Sequence, residues 1–102
     1  MWKPKSNPLQ EKSFAFAVRI INVYKHLTSN KKEYVMSQQL LRSGTSVGAN
    51  IEEALQGQSK KDFIAKLSIS LKEAYESDYW IRLLKAGKML TEKEAGSPKR
   101  RE

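Results

Sequence analysis

The chain has 102 residues, 39% hydrophobic and 29% charged, which suits one small folded domain and excludes a disordered one. It contains no cysteine, which excludes disulfides, thiolate metal ligands and cysteine nucleophiles. Nineteen lysines and arginines against eleven acidic residues leave a formal charge of +8, which favours an anionic partner.

The N-terminus, Met-Trp-Lys-Pro-Lys-Ser-Asn-Pro, lacks the apolar core of a signal peptide. The longest near-apolar run, Phe14 to Ile21, is broken by Arg19 and is too short to span a bilayer. The expectation is a soluble, cytoplasmic protein with no membrane partner. Residues 1–6 read as a flexible N-terminus, 7–94 as a helical bundle domain and 95–102 as a basic disordered tail.

Capping chemistry marks the helix starts. Asn7-Pro8-Leu9-Gln10 opens a helix over about 8–28, with Phe14, Ala17/Val18, Ile21, Tyr24 and Leu27 on one face. Asn30-Lys31-Lys32-Glu33 opens a second over about 31–57, with Met36, Leu40, Gly44, Val47, Ile51 and Leu55 inward. Ser59-Lys60-Lys61-Asp62 opens a third over about 60–86, carrying Phe63, Leu67, Ser70/Leu71, Ala74, Ile81 and Leu84. At 1.5 Å per residue the second and third helices each reach roughly 40 Å. The tight Gly57-Gln58 turn between them predicts an antiparallel pair.

The third helix has another apolar stripe, Ile64, Leu71, Tyr75, Tyr79 and Leu83, with Trp80 between the two. A helix apolar on two sides needs two neighbours, and the second is expected to be another subunit. Thr91-Glu92-Lys93-Glu94 announces a fourth helix, but Gly96 and Pro98 end it almost at once. Phe63, Tyr75 and Trp80 read as core, so exposed aromatics for base stacking are not expected.

Gln39 to Asn50 organises the chain. Two glycines four apart inside a helix cost about 1 kcal/mol each against alanine, so they need a reason. Close approach supplies it: Ser43, Gly44, Val47, Gly48 and Ala49 form a small-residue packing surface. Gly44-Thr-Ser-Val-Gly48 lacks the Gly-Lys-Ser/Thr ending of a phosphate loop and follows no strand. Arg42 looks buried and is expected to fork onto Glu73 or Glu53 at a helix or subunit boundary; Trp80, too, is expected at a helix or subunit packing surface. Ser43, Thr45 and Ser46 are expected to bond back to helix carbonyls, and no base is at hand to make a serine nucleophilic. Glu73, Glu76 and Asp78 lack histidine partners, the only histidine being His26, so neither metal nor other cofactor is expected.

Three segments together resemble a known family. They are Gln39 to Ala54 (QLLRSGTSVGANIEEA), Asp62 to Leu67 (DFIAKL) and Leu71 to Trp80 (LKEAYESDYW). The chain is similar over about 12–94 to the four-helix-bundle proteins encoded in intervening sequences of bacterial 23S ribosomal RNA. That family also includes the accessory protein of diversity-generating retroelements. The resemblance implies an up-down bundle assembling as a homopentameric ring, without enzymatic activity. It also implies binding to RNA or other nucleic acid, in one branch together with a reverse transcriptase. This sequence departs from the pattern after Thr91, where relatives continue with a long amphipathic helix. A truncated or frame-shifted gene reads this way.

In an up-down bundle residues 25–33 and 85–102 share one end. They hold Lys25, Lys31, Lys32, Lys85, Lys88, Lys93, Lys99, Arg100 and Arg101 against four glutamates, a surplus of five within the net +8. These nine are the candidate nucleic-acid contacts, through phosphates more than bases. The expectation is thus an all-α, up-down antiparallel helical bundle of three long helices plus a truncated fourth, oligomeric and binding RNA without catalysis. The alternatives are an adaptor docking a protein such as a reverse transcriptase, and a remnant without function.

Overall fold

In the computed structural model, which describes residues 8–96, three helices run up, down and up: α1 (Pro8–Ser29), α2 (Met36–Leu55) and α3 (Lys60–Ala86). The Asn7 cap, residues 1–6 and the tail from Ser97 to Glu102 lie outside the described residues. α2 is the centre. α1 and α3 each pack on it and do not approach one another at the level of the backbone. The resulting slab measures 47 × 34 × 18 Å.

Small residues set the spacing on both sides of α2. Toward α1, a Cβ on Gly44 would stand 2.8 Å from Ile20 Cγ1, and one on Gly48 would stand 3.4 Å from the Ser13 carbonyl oxygen. The two glycines are therefore where α1 comes close. Toward α3 the contact is lined with hydroxyls. Ser43 and Ser77, both fully buried, place their Oγ atoms 2.9 Å apart, and Ser70 Oγ donates to the Val47 carbonyl at 2.8 Å. Buried hydroxyls with partners avoid the cost of unsatisfied polar burial. Gly44→Ala is expected to lower stability by about 1–2 kcal/mol, because crowding the branched Ile20 outweighs the gain in helix propensity. Gly48→Ala, in ordinary contact, should shift it by less than about 1 kcal/mol. Urea denaturation of the two variants measures the contrast.

The inward face of α1 differs from the one expected. Ser13, Ile20 and Leu27 are buried, with Phe16 and Val23 packed beside them, whereas Phe14, Val18 and Ile21 are exposed. α1 carries two apolar stripes, and the glycines on α2 accept the slimmer one. On α2 the expected positions hold: Leu40, Gly44, Val47, Ile51 and Leu55 are all buried. On α3, Ser70, Ser77 and Leu84 are buried while Leu71 points outward with Ile64, Tyr75, Tyr79 and Leu83. Tyr75, expected in the core, is 68% exposed.

α2 also starts later than its sequence suggests. Residues 31–35 are not helical and Asn30 caps nothing; its side chain lies 2.8 Å from His26 Nδ1. Lys32 turns the chain at φ 57°, and Glu33 becomes the cap. Its carboxylate accepts from the N–H groups of Val35, Met36 and Ser37 at 3.2, 2.9 and 2.7 Å. An acceptor three residues into the expected helix thus serves the orphan donors of a later one. With 20 residues α2 is about 30 Å long, and α3, with 27, is about 40 Å. The Ser59 cap forms as expected, accepting from Asp62 N–H at 3.1 Å.

After α3 the chain folds back. Met89 N–H donates to the Leu84 carbonyl and Lys88 N–H to that of Lys85, at 2.8 and 3.0 Å, with Lys88 left-handed at φ 63°. This is a Schellman ending with lysine where glycine is usual. It drives Leu90 into the core beside Ile20, Leu27, Leu40 and Leu84. The fourth capping box then closes reciprocally: Glu94 N–H to Thr91 Oγ1 at 3.1 Å, and Thr91 N–H to Glu94 Oε1 at 2.9 Å. It caps one turn only. Ala95 and Gly96 belong to that turn rather than to a tail, and Gly96, at φ 76°, lies on the Arg19 guanidinium. Beyond Arg19 toward the start of α1, a groove of about 340 Å³ stays open between α1 and α3, floored by Val47 and Ile51.

Candidate nucleic-acid interface

The end of α1, the 30–35 loop, the end of α3 and residues 87–96 meet at one end of the slab. Buried Leu27 packs there with Leu84 and Leu90, and His26 Nε2 lies 3.2 Å from the Glu94 carboxylate. Six of the nine expected basic contacts are therefore gathered: Lys25, Lys31, Lys32, Lys85, Lys88 and Lys93. Lys99, Arg100 and Arg101 lie outside the described residues.

The six are not equivalent. Lys85 is half-buried and pairs with Glu92 at 3.2 Å, so its charge is largely answered within the chain. Lys31 is exposed, and its field reaches Glu94. The Thr91 N–H, more than the charges of His26 and Lys31, holds the Glu94 carboxyl below its usual range. Lys25, Lys32, Lys88 and Lys93 are exposed. Two of these, Lys32 and Lys88, occupy left-handed backbone that side chains seldom adopt. In the same loop as Lys32, Tyr34 and Val35 are 57% and 74% exposed. Helical periodicity puts both inside α2; the signal against it is Glu33, whose carboxylate can serve as well before a helix as in its first turn.

The second group of singled-out residues lies mid-bundle. Ser43, Gly44 and Val47 are buried and Gly48 is half-buried, whereas Ala49 is exposed beside a shallow groove between α1 and α2. Arg42 is not buried: its side chain is 48% exposed. It forks across to α3, with Nη1 3.2 Å from Glu73 Oε1 and Nη2 on Glu76. Trp80 Nε1 also donates to Glu76, at 3.0 Å. The Arg42 bond, then that of Trp80, keeps the Glu76 carboxyl below its usual range, and Glu76 in turn raises Arg42. Glu53 pairs instead with Lys66 and Asp78 with Arg82, at 2.7 and 2.8 Å. Thr45 and Ser46 bond back to the carbonyls of Leu41 and Arg42. Among the described residues no three histidine, aspartate or glutamate side chains gather as metal ligands, and no helix is long and apolar enough to cross a membrane.

Comparison with known proteins agrees with this architecture. No curated protein matches the chain. A crystal structure of a protein of unknown function from the S23 ribosomal protein family of Bacteroides thetaiotaomicron VPI-5482 is similar, with a TM-score of 0.85 and 55% sequence identity. The match covers 87% of this chain and 82% of that one. The family model of the 23S rRNA-intervening sequence protein matches residues 5–101. The chain belongs to the 23S rRNA-intervening sequence protein family.

Proposed function

We propose that this protein binds RNA without catalysis, as a homo-oligomeric ring, through phosphate contacts at its lysine-rich end. The gathering of Lys25, Lys31, Lys32, Lys88 and Lys93 on one exposed end carries the reading. Such a surface attracts a polyanion and releases its counterions on contact. Self-association is supported by the stripe of Ile64, Leu71, Tyr75, Tyr79 and Leu83, which faces away from α2. Apolar residues massed on one helix face mark a contact surface more often than a solvated one. A cyclic ring, five-membered by family resemblance, would present every lysine-rich end on one side.

The test is a gel shift with RNA at about 50 and 200 mM salt. Four phosphate contacts to a single strand predict a log–log slope near −3, and so an affinity about 50-fold lower at the higher salt. Absence of a shift at low salt, from folded protein, would end the reading. The same α3 stripe favours an adaptor as the second reading, with a protein such as a reverse transcriptase docked on it. That version predicts retention of a specific protein and little RNA.

A further inference from the structure

The loop between α1 and α2 holds an aromatic side chain in solvent on an unusually constrained backbone. Glu33 N–H donates to the Leu27 carbonyl at 2.9 Å, and the Glu33 carboxylate takes the N–H groups of Val35, Met36 and Ser37. Ser37, fully buried, donates its hydroxyl back to the Glu33 carbonyl at 2.8 Å. Five hydrogen bonds therefore pin residues 33–37, and between their anchors Tyr34 and Val35 stand outward. Nothing in the core uses them.

Their surroundings are basic. Lys31 and Lys32 lie on the N-terminal side of Tyr34 with Glu33 between, and both are exposed. Lys32 adopts a left-handed conformation in which glycine or asparagine would sit with less strain. The turn at Lys32 brings Glu33 to the start of α2 and leaves the lysine exposed. The N-terminus of α2 is already occupied by Glu33, so a phosphate here would be met by the lysines and not by the helix end.

We infer that residues 31–35 form a preorganised contact for single-stranded nucleic acid, in which the Tyr34 ring stacks on a base and Lys31 and Lys32 take the flanking phosphates. The inference rests on the reading of the lysine-rich end as a nucleic-acid surface and adds strandedness to it. Phosphate contacts alone accept single strands and duplexes alike. A ring that needs an open base face accepts only unpaired bases, because a duplex keeps its bases stacked within.

The experiment is fluorescence anisotropy at low salt, with a labelled oligoadenylate and the same strand annealed to its complement. Tyr34→Ala is expected to weaken single-strand binding about 5- to 100-fold, while Tyr34→Phe retains it. Duplex binding should move less than about 2-fold and the salt slope should not change, since no charge is lost. Lys32→Ala should reduce the slope by about 1 for both forms. Equal single-strand affinity for wild type and Tyr34→Ala would overturn the stacking and leave the phosphate reading standing. So would equal losses on strand and duplex, or an altered oligomeric mass of the Tyr34→Ala variant, which assigns the ring to a subunit contact. Wild-type protein that binds neither form overturns both readings. Circular dichroism matched to wild type confirms that each variant is folded.

Discussion

Reversing the charge of Lys31, Lys32, Lys85 and Lys88 together is expected to weaken RNA binding by at least ~100-fold at 50 mM salt. Removing the counterion-releasing contacts of Lys31, Lys32 and Lys88 flattens the salt slope, and four new negative charges then repel the phosphates. The structure orders the contributions. Lys85 already faces Glu92 at 3.2 Å, so its reversal matters least for RNA. Lys32 and Lys88 are exposed with their charge turned to solvent, and they should dominate. Net charge alone makes a rival prediction, and a matched pair separates the two. Lys31→Glu with Lys32→Glu changes the charge as much as Lys60→Glu with Lys61→Glu, which sits at the opposite end, at the start of α3. Only the first pair should weaken binding strongly in a titration by gel shift. Equal losses from the two pairs would make the attraction a property of the whole molecule.

Leu90→Ala is expected to destabilise the fold by about 2–4 kcal/mol, an unusually large effect for a residue beyond the last helix. Leu90 is 3% exposed and packs with Ile20, Leu27, Leu40 and Leu84, so truncation leaves a cavity where α1, α2 and α3 converge. Its backbone has little freedom to collapse into that space, because Met89 and Leu90 N–H groups are both committed to the Leu84 carbonyl. For a domain of this size the loss corresponds to a melting temperature lower by roughly 10–25 °C. Thermal and urea denaturation followed by circular dichroism measure it. A change below about 1 kcal/mol would mean that the segment after α3 merely rests on the bundle.

What the sequence could say was whatever local spacing and chemistry encode. The Ser59 cap, the inward residues of α2 and the reciprocal Thr91–Glu94 box were legible because each depends on neighbours within one or two turns. The family, too, was legible, from three segments of α2 and α3. α1 was not, since both of its stripes have helical spacing and only the partner surface distinguishes them. Gly44 and Gly48 admit Ile20 and Ser13, and that turns Phe14, Val18 and Ile21 outward. Nor was the start of α2, where Asn30 and Glu33 both offer side-chain acceptors. The left-handed turn at Lys32 gave the role to Glu33 and placed Tyr34 in solvent. By itself, then, the sequence determined an all-α chain of three helices, because periodicity and caps are local properties. Which stripe is core, which lysines stay unpaired and which aromatics meet solvent were decided by the tertiary structure alone, since each depends on a surface supplied by another helix.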